Sequence, residues 1–274
     1  MSQNILRVSD VEHFHWALSE ADVPSTTPFN GTLLSLAAAV ELAAIQAQQH
    51  RYPLLERSQS FTCKNCPLWS LVKQSGWPER RKPLVRRTSE GVAIVIPAQA
   101  EGLWWTDCLH RLRNELMTKG FTTKLATGLT GGVAEMVDNV WQHSESAESG
   151  LLVYQVRTRK FAFSVVDAGI GVLASLSRNP RYDWLRSSME AIRLAIQPGV
   201  SREEGGGMGF ATLLNNMADL WGNARMRSGE AALVIDRTDT TENVRSRKEI
   251  YLPPLPGMHV SVRCALDPPR RPSE

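Results

Sequence analysis

The run Val165-Val166-Asp167-Ala168-Gly169-Ile170-Gly171 narrows the folds open to this chain more than any other stretch. A carboxylate closes an apolar strand, and two glycines follow at alternate positions, where the backbone can turn tightly against another group. Such a strand exit can be a plain turn. It can also place an acidic residue in a pocket, where a buried carboxylate accepts a hydrogen bond from an amino group such as that of adenine. The same letters satisfy Gly-x-Gly-x-x-Ala from Gly169 to Ala174, the opening of a dinucleotide-binding unit. That unit requires an acidic residue about 20 positions on, at the end of a second strand. Glu190 has the distance, but 188–194 reads as helix, so the context excludes it.

Two further signals flank this one. Upstream, Leu125, Leu129, Val133, Met136, Val137 and Val140 recur as the apolar side of a helix. Glu135, Asn139 and His143, spaced by four, then share a polar stripe. A carboxylate one turn from a carboxamide suits a general base beside a metal ligand, although the pair also occurs on solvated helices. Downstream, Gly205-Gly206-Gly207-Met208-Gly209-Phe210 opens another helix. Glycines before a helix N-terminus expose backbone N–H groups, and the helix dipole favours phosphate there. No Gly-Lys-Ser/Thr follows, so this is not a P-loop. A hinge without a ligand is the alternative reading.

In this order the three segments resemble the N, G1 and G2 boxes of the GHKL superfamily (gyrase, heat-shock chaperone, histidine kinase, mismatch repair). The match runs Glu-x-x-x-Asn, Asp-x-Gly-x-Gly, Gly-x-Gly-x-Gly, and the resemblance covers about residues 90 to 266. The Asn-x-x-x-His-Ser tail, Asn139 to Ser144, looks like the anti-sigma-factor and histidine-kinase branches. Leu255-Pro256-Gly257-Met258 is similar to their Pro-Gly-Thr turn, with Met for Thr. The resemblance implies an α+β fold of Bergerat type, a mixed sheet with helices on one face. It implies ATP and Mg²⁺ as ligands, Glu135 as general base and Asn139 as the Mg²⁺ ligand. Asp167 would read adenine, with Gly169 and Gly171 shaping its pocket. Gly205, Gly207 and Gly209 would close on the phosphates, with Arg202 nearby. Residues 173–204 would form an ATP lid. The implied activity is ATP hydrolysis or transfer of the γ-phosphate to a partner protein, as in a serine/threonine-type kinase. The alternative is an ATP-gated interaction switch with slow hydrolysis and no phosphorylated product, in signalling or defence.

The rest of the chain constrains less. Residues 1–87 are expected to be a mainly helical N-terminal region of undetermined fold, and 88–274 the ATP-binding domain. The stretch 77–87, rich in Pro and Arg, suits an exposed connector. Before it, 32–49 reads as a helix apolar on most faces, which implies burial against other elements or a partner. A protein partner is accordingly expected at the N-terminal region or the lid, and a homodimer is left open. The net charge of +3, spread along 274 residues, argues against nucleic acid, which calls for a concentrated basic stripe. No run approaches the roughly 18 apolar residues of a membrane span, and 1–12 lacks a signal-peptide core, so a cytoplasmic protein is expected. Four cysteines make no disulfide framework. Cys63 and Cys66 could bind zinc only if partners such as Cys108 and His110 joined them; otherwise they are plain thiols.

Overall fold

A computed structural model describes residues 5–6, 11–12, 33–48, 67–77, 84–89, 91–96, 102–200, 209–217, 220–236 and 246–268. The β-branched and aromatic runs of the middle of the chain form strands β3 (Leu151–Arg157) and β4 (Lys160–Val166). Arg157 pairs with Lys160 across a two-residue turn, in which Arg159 takes a φ of 59°. Two earlier strands, β1 (Leu84–Arg87) and β2 (Val92–Val95), pair on one side. Two late ones, β5 (Trp221–Asp236) and β6 (Ser246–Ala265), close the other, giving the order β1-β2-β3-β4-β6-β5. Every pairing in this six-stranded sheet is antiparallel, so the expectation of a mixed sheet is corrected. The α+β class holds.

Both faces of the central strands are apolar, and both are covered. Ile94, Leu152, Phe163, Val165, Val260 and Val262 face helices α3 (Gly102–Thr118) and α4 (Thr123–His143). Helices α6 (Ser188–Ala195) and α7 (Gly209–Asn216) complete that layer. Their alternating neighbours Ala93, Val95, Leu151, Val153 and Val166 pack instead against α1 (Leu36–Ala47) and α2 (Pro67–Ser75). Helices on one face only is therefore a second correction: strands with a double-sided apolar pattern need two covers. The expected connector is also part of this packing. Trp77 is buried and its indole donates to the Ser149 carbonyl, while Leu84–Arg87 is the sheet's first strand.

The α1 layer carries charge into the interior. Glu41 on α1 is 1% exposed and pairs with Arg225 and Arg227 of β5. The Arg227–Glu41 contact is 2.7 Å, and Arg227 is itself fully buried. Arg225 also meets Glu12 at 2.7 Å, and burial, partly opposed by Glu12, pulls its guanidinium down to about 10, still charged at neutral pH.

Candidate active site

Helix α4 starts where Thr122 accepts a hydrogen bond from the Leu125 N–H and ends at Ser144, whose hydroxyl donates to the Val140 carbonyl. Its apolar side is buried as its spacing predicts, with Leu129, Val133, Met136, Val137 and Val140 in the core. The polar stripe beside it, with Met136 and Val140 at the boundary, faces a cleft of about 280 Å³. Glu135, Asp138, Asn139, Gln142, His143 and Ser144 line its α4 wall. The floor is Val165, Asp167, Met258 and Val260, and the far wall is Gly171, Val172, Ser175 and Leu176 of helix α5 (Gly171–Leu176). Ala195, Val200 and Phe210 close the remaining side. A concave, half-apolar cleft with a few convergent polar groups is the form small-molecule sites take.

Asp167 is 3% exposed at the end of β4. Its Oδ1 accepts the Gly169 N–H at 2.8 Å and its Oδ2 the Met258 N–H at 3.3 Å. Burial pushes its carboxyl up to about 6, partly opposed by those two donors. The turn that follows is fixed at nearly every amide. Ala168 N–H donates to the Ser149 hydroxyl, Ile170 N–H to the Ser144 carbonyl and Val172 N–H to the Ser228 hydroxyl. A Cβ on Gly169 would overlap the Ser144 carbonyl, which ties the end of α4 to this turn. A Cβ on Gly257 would overlap the Asp167 carbonyl, and Gly257 has a φ of 76°. Glycine is needed at both places for close approach, not merely for flexibility.

Asn139 has a different character. Its Nδ2 is buried and has no hydrogen-bond partner among the described residues, so the donor side of the carboxamide is unused beside the cleft. Asp138, on the same turn, is held above the ordinary carboxylate range by burial and by the neighbouring Glu135. Glu135 is exposed at the cleft's margin. The described lining therefore holds three carboxylates and no lysine or arginine. Oxygen donors of this kind suit a hard cation such as Mg²⁺, and an anionic ligand would need one to offset them. Among the described residues no group of three or more His, Cys, Asp or Glu side chains could hold a metal by itself.

Of the sequence-derived site, Glu135, Asn139, Asp167 and Gly171 come together from separated segments, and Gly169 lies in the turn beneath them. Gly209 is the first residue of α7, whose Phe210 lines the cleft. Gly205, Gly207 and Arg202 lie outside the described residues, as do Cys63 and Cys66. Cys108 is buried in the core and His110 is exposed, so those two do not converge on a common point of α3. The described part of the expected lid is folded, with Leu176, Tyr182, Leu185 and Ala191 forming a small core of their own. Glu190 completes a capping box with Ser187 at the start of α6, a structural task. Sequence reading missed Asp138, which stands inside the quoted motif, and the serines 149 and 228 that hold the turn; Ser144, which closes the quoted tail, gains a structural task there. Asp138 was legible: a residue three after Glu135 projects to the same side of a helix. Ser228 had no local signal, because its partners are remote in sequence.

No helix among the described residues is long and apolar enough to cross a membrane. No protein-family model matches this chain, and no curated protein matches it.

Proposed function

We propose that this chain is a GHKL-type protein of Bergerat fold that binds Mg-ATP in the α4–β4 cleft. It then hydrolyses the nucleotide or passes its γ-phosphate to a partner protein. The observation that carries this reading is the convergence of Glu135, Asn139, Asp167 and Gly171 on one cleft, although the two motifs that hold them are separated in sequence. Asp167 accepts the adenine amino group at the closed end, between the apolar side chains of Val165, Val172, Met258 and Val260. Asn139, with Asp138 beside it, holds Mg²⁺, and the ion neutralises phosphate charge that the carboxylate-lined wall would otherwise repel. Glu135, exposed at the margin, orients the attacking hydroxyl of a partner residue or of water. The glycines at 205, 207 and 209 are proposed to close on the phosphates.

The test follows the γ-phosphate of labelled Mg-ATP with wild type and Glu135→Ala, alone and with cell lysate. Turnover, as free phosphate or as labelled protein, is expected to fall about 10²- to 10⁴-fold in Glu135→Ala, with nucleotide binding retained. An unchanged rate in the variant removes Glu135 from the chemistry.

A second reading has its own observation. Trp184 is 53% exposed on the folded segment that follows the far wall of the cleft, a placement suited to a contact with another protein. In that reading ATP occupancy changes a binding surface and hydrolysis only resets it. ATP-dependent partner affinity that survives Glu135→Ala favours the switch, and its loss together with turnover favours the transferase.

A further inference from the structure

We propose that Ser228 is a positioning residue that sets how well the Asp167 end of the cleft discriminates among purines. The inference rests on reading the cleft as a nucleotide site and adds a residue that none of the motifs contains.

Ser228 is 2% exposed and sits on β5 where the β5–β6 register first slips. Its hydroxyl is used twice. The oxygen accepts the Val172 N–H at 3.0 Å, and the hydroxyl donates to the Gly257 carbonyl at 2.8 Å. One side chain thus ties the first turn of α5, on the far wall, to the Pro256-Gly257-Met258 turn, on the floor. That turn seats Asp167: the Met258 N–H donates to Asp167 Oδ2, and the Asp167 N–H donates to the Met258 carbonyl at 3.1 Å. The preceding residue on β5 works from the other face of the sheet, where Arg227 donates to the Pro253 carbonyl at 2.9 Å. Two successive β5 residues therefore grip the 253–257 segment from opposite faces. The fit is close, because a Cβ on Gly171 would come within 2.7 Å of the Ser228 hydroxyl.

Without that hydroxyl the Val172 N–H and Gly257 carbonyl lose their partner, and the turn presenting the Met258 N–H loosens. Asp167 then keeps its place in the chain and loses its fixed direction. An acceptor with a fixed direction favours adenine, which offers an amino group, over hypoxanthine, which offers a carbonyl oxygen at the same ring position. A loosely held carboxylate turns aside from the carbonyl and discriminates less.

The experiment measures the dissociation constants of Mg-ATP and Mg-ITP by titration calorimetry on the full chain. It compares wild type with Ser228→Ala and Ser228→Cys, the second keeping an atom at the γ position with much weaker hydrogen bonding if the first fails to fold. Wild type is expected to prefer ATP. Both variants are expected to bind ATP about tenfold more weakly, the scale of two lost hydrogen bonds, with ITP little changed, so that the preference shrinks. A structural role alone would weaken both nucleotides by the same factor; that result, or an unchanged preference, overturns the proposal and leaves the cleft reading standing. Wild type that binds neither nucleotide overturns the cleft reading, and this inference with it.

Discussion

Asp167→Asn is expected to weaken Mg-ATP binding on the order of 100-fold, the scale of a lost hydrogen bond to a charged acceptor in a buried site. The substitution changes almost no volume, so the argument rests on polarity. Two backbone N–H groups, from Gly169 and Met258, point at the two carboxylate oxygens. An asparagine can offer an oxygen to only one of them, and its amide nitrogen faces either the other N–H or the adenine amino group. The pH dependence follows from the carboxyl that burial holds at about 6, above its ordinary value near 3.8. The folded state thus binds the proton more tightly than the unfolded state does. The stability of wild type relative to Asp167→Asn is greatest below about pH 4 and is lost as pH rises through about 6. Nucleotide binding runs the other way, strengthening as pH rises through about 6 and the acceptor ionises. Thermal melts of both proteins from pH 4 to 8, with binding titrations at each pH, check both halves. Parallel stability curves would remove Asp167 as the titrating group.

Glu41→Ala is expected to cost about 3–5 kcal/mol of folding stability, because removing one partner leaves buried charge uncompensated. In this chain the charge left behind is mainly that of Arg227, which is fully buried and has Glu41 as its carboxylate partner. Arg225 retains Glu12. For a chain of this size the loss lowers the melting temperature by roughly 10 °C. The double variant Glu41→Leu with Arg227→Met restores much of it, since buried ion pairs can be replaced by packed apolar residues at little cost. Denaturant titration of the single and double variants measures this, and additive losses would contradict the pairing. The same ion group joins α1 to the strand that carries Ser228, so the N-terminal helix belongs to the reverse side of the candidate site.

What the sequence made legible was local. The face of α4, the β3–β4 hairpin and the carboxylate closing β4 all follow from spacing and residue type. The apolar runs 231–235 and 260–264 mark only short stretches of the late strands, since β5 spans 16 residues and β6 spans 20. Pro253, Pro254 and Pro256 interrupt the strand pattern of β6 and hide its continuity. The strand survives because its pairing skips there, from Met258 opposite Ser228 to Leu255 opposite Gly229 and Tyr251 opposite Ala231. Bulges are where a paired strand tolerates proline. The apolar surface of α1 announced burial, while its destination depended on the second apolar face of β2, β3 and β4. Runs such as Leu151-Leu152-Val153 carry that information, since a strand covered on one side alternates. The pairing of Glu41 with Arg225, 184 residues away, leaves no trace in either neighbourhood.

Calorimetric titration of the full chain with ATP shows whether the cleft binds the nucleotide with Mg²⁺ through Asn139 and Asp167. One ATP per chain is expected when Mg²⁺ is present, with much weaker binding when the metal is chelated. Asn139→Ala is expected to lose most of this Mg²⁺ dependence. No binding by wild type at millimolar Mg-ATP, or binding indifferent to both Mg²⁺ and Asn139, would contradict this reading of the cleft.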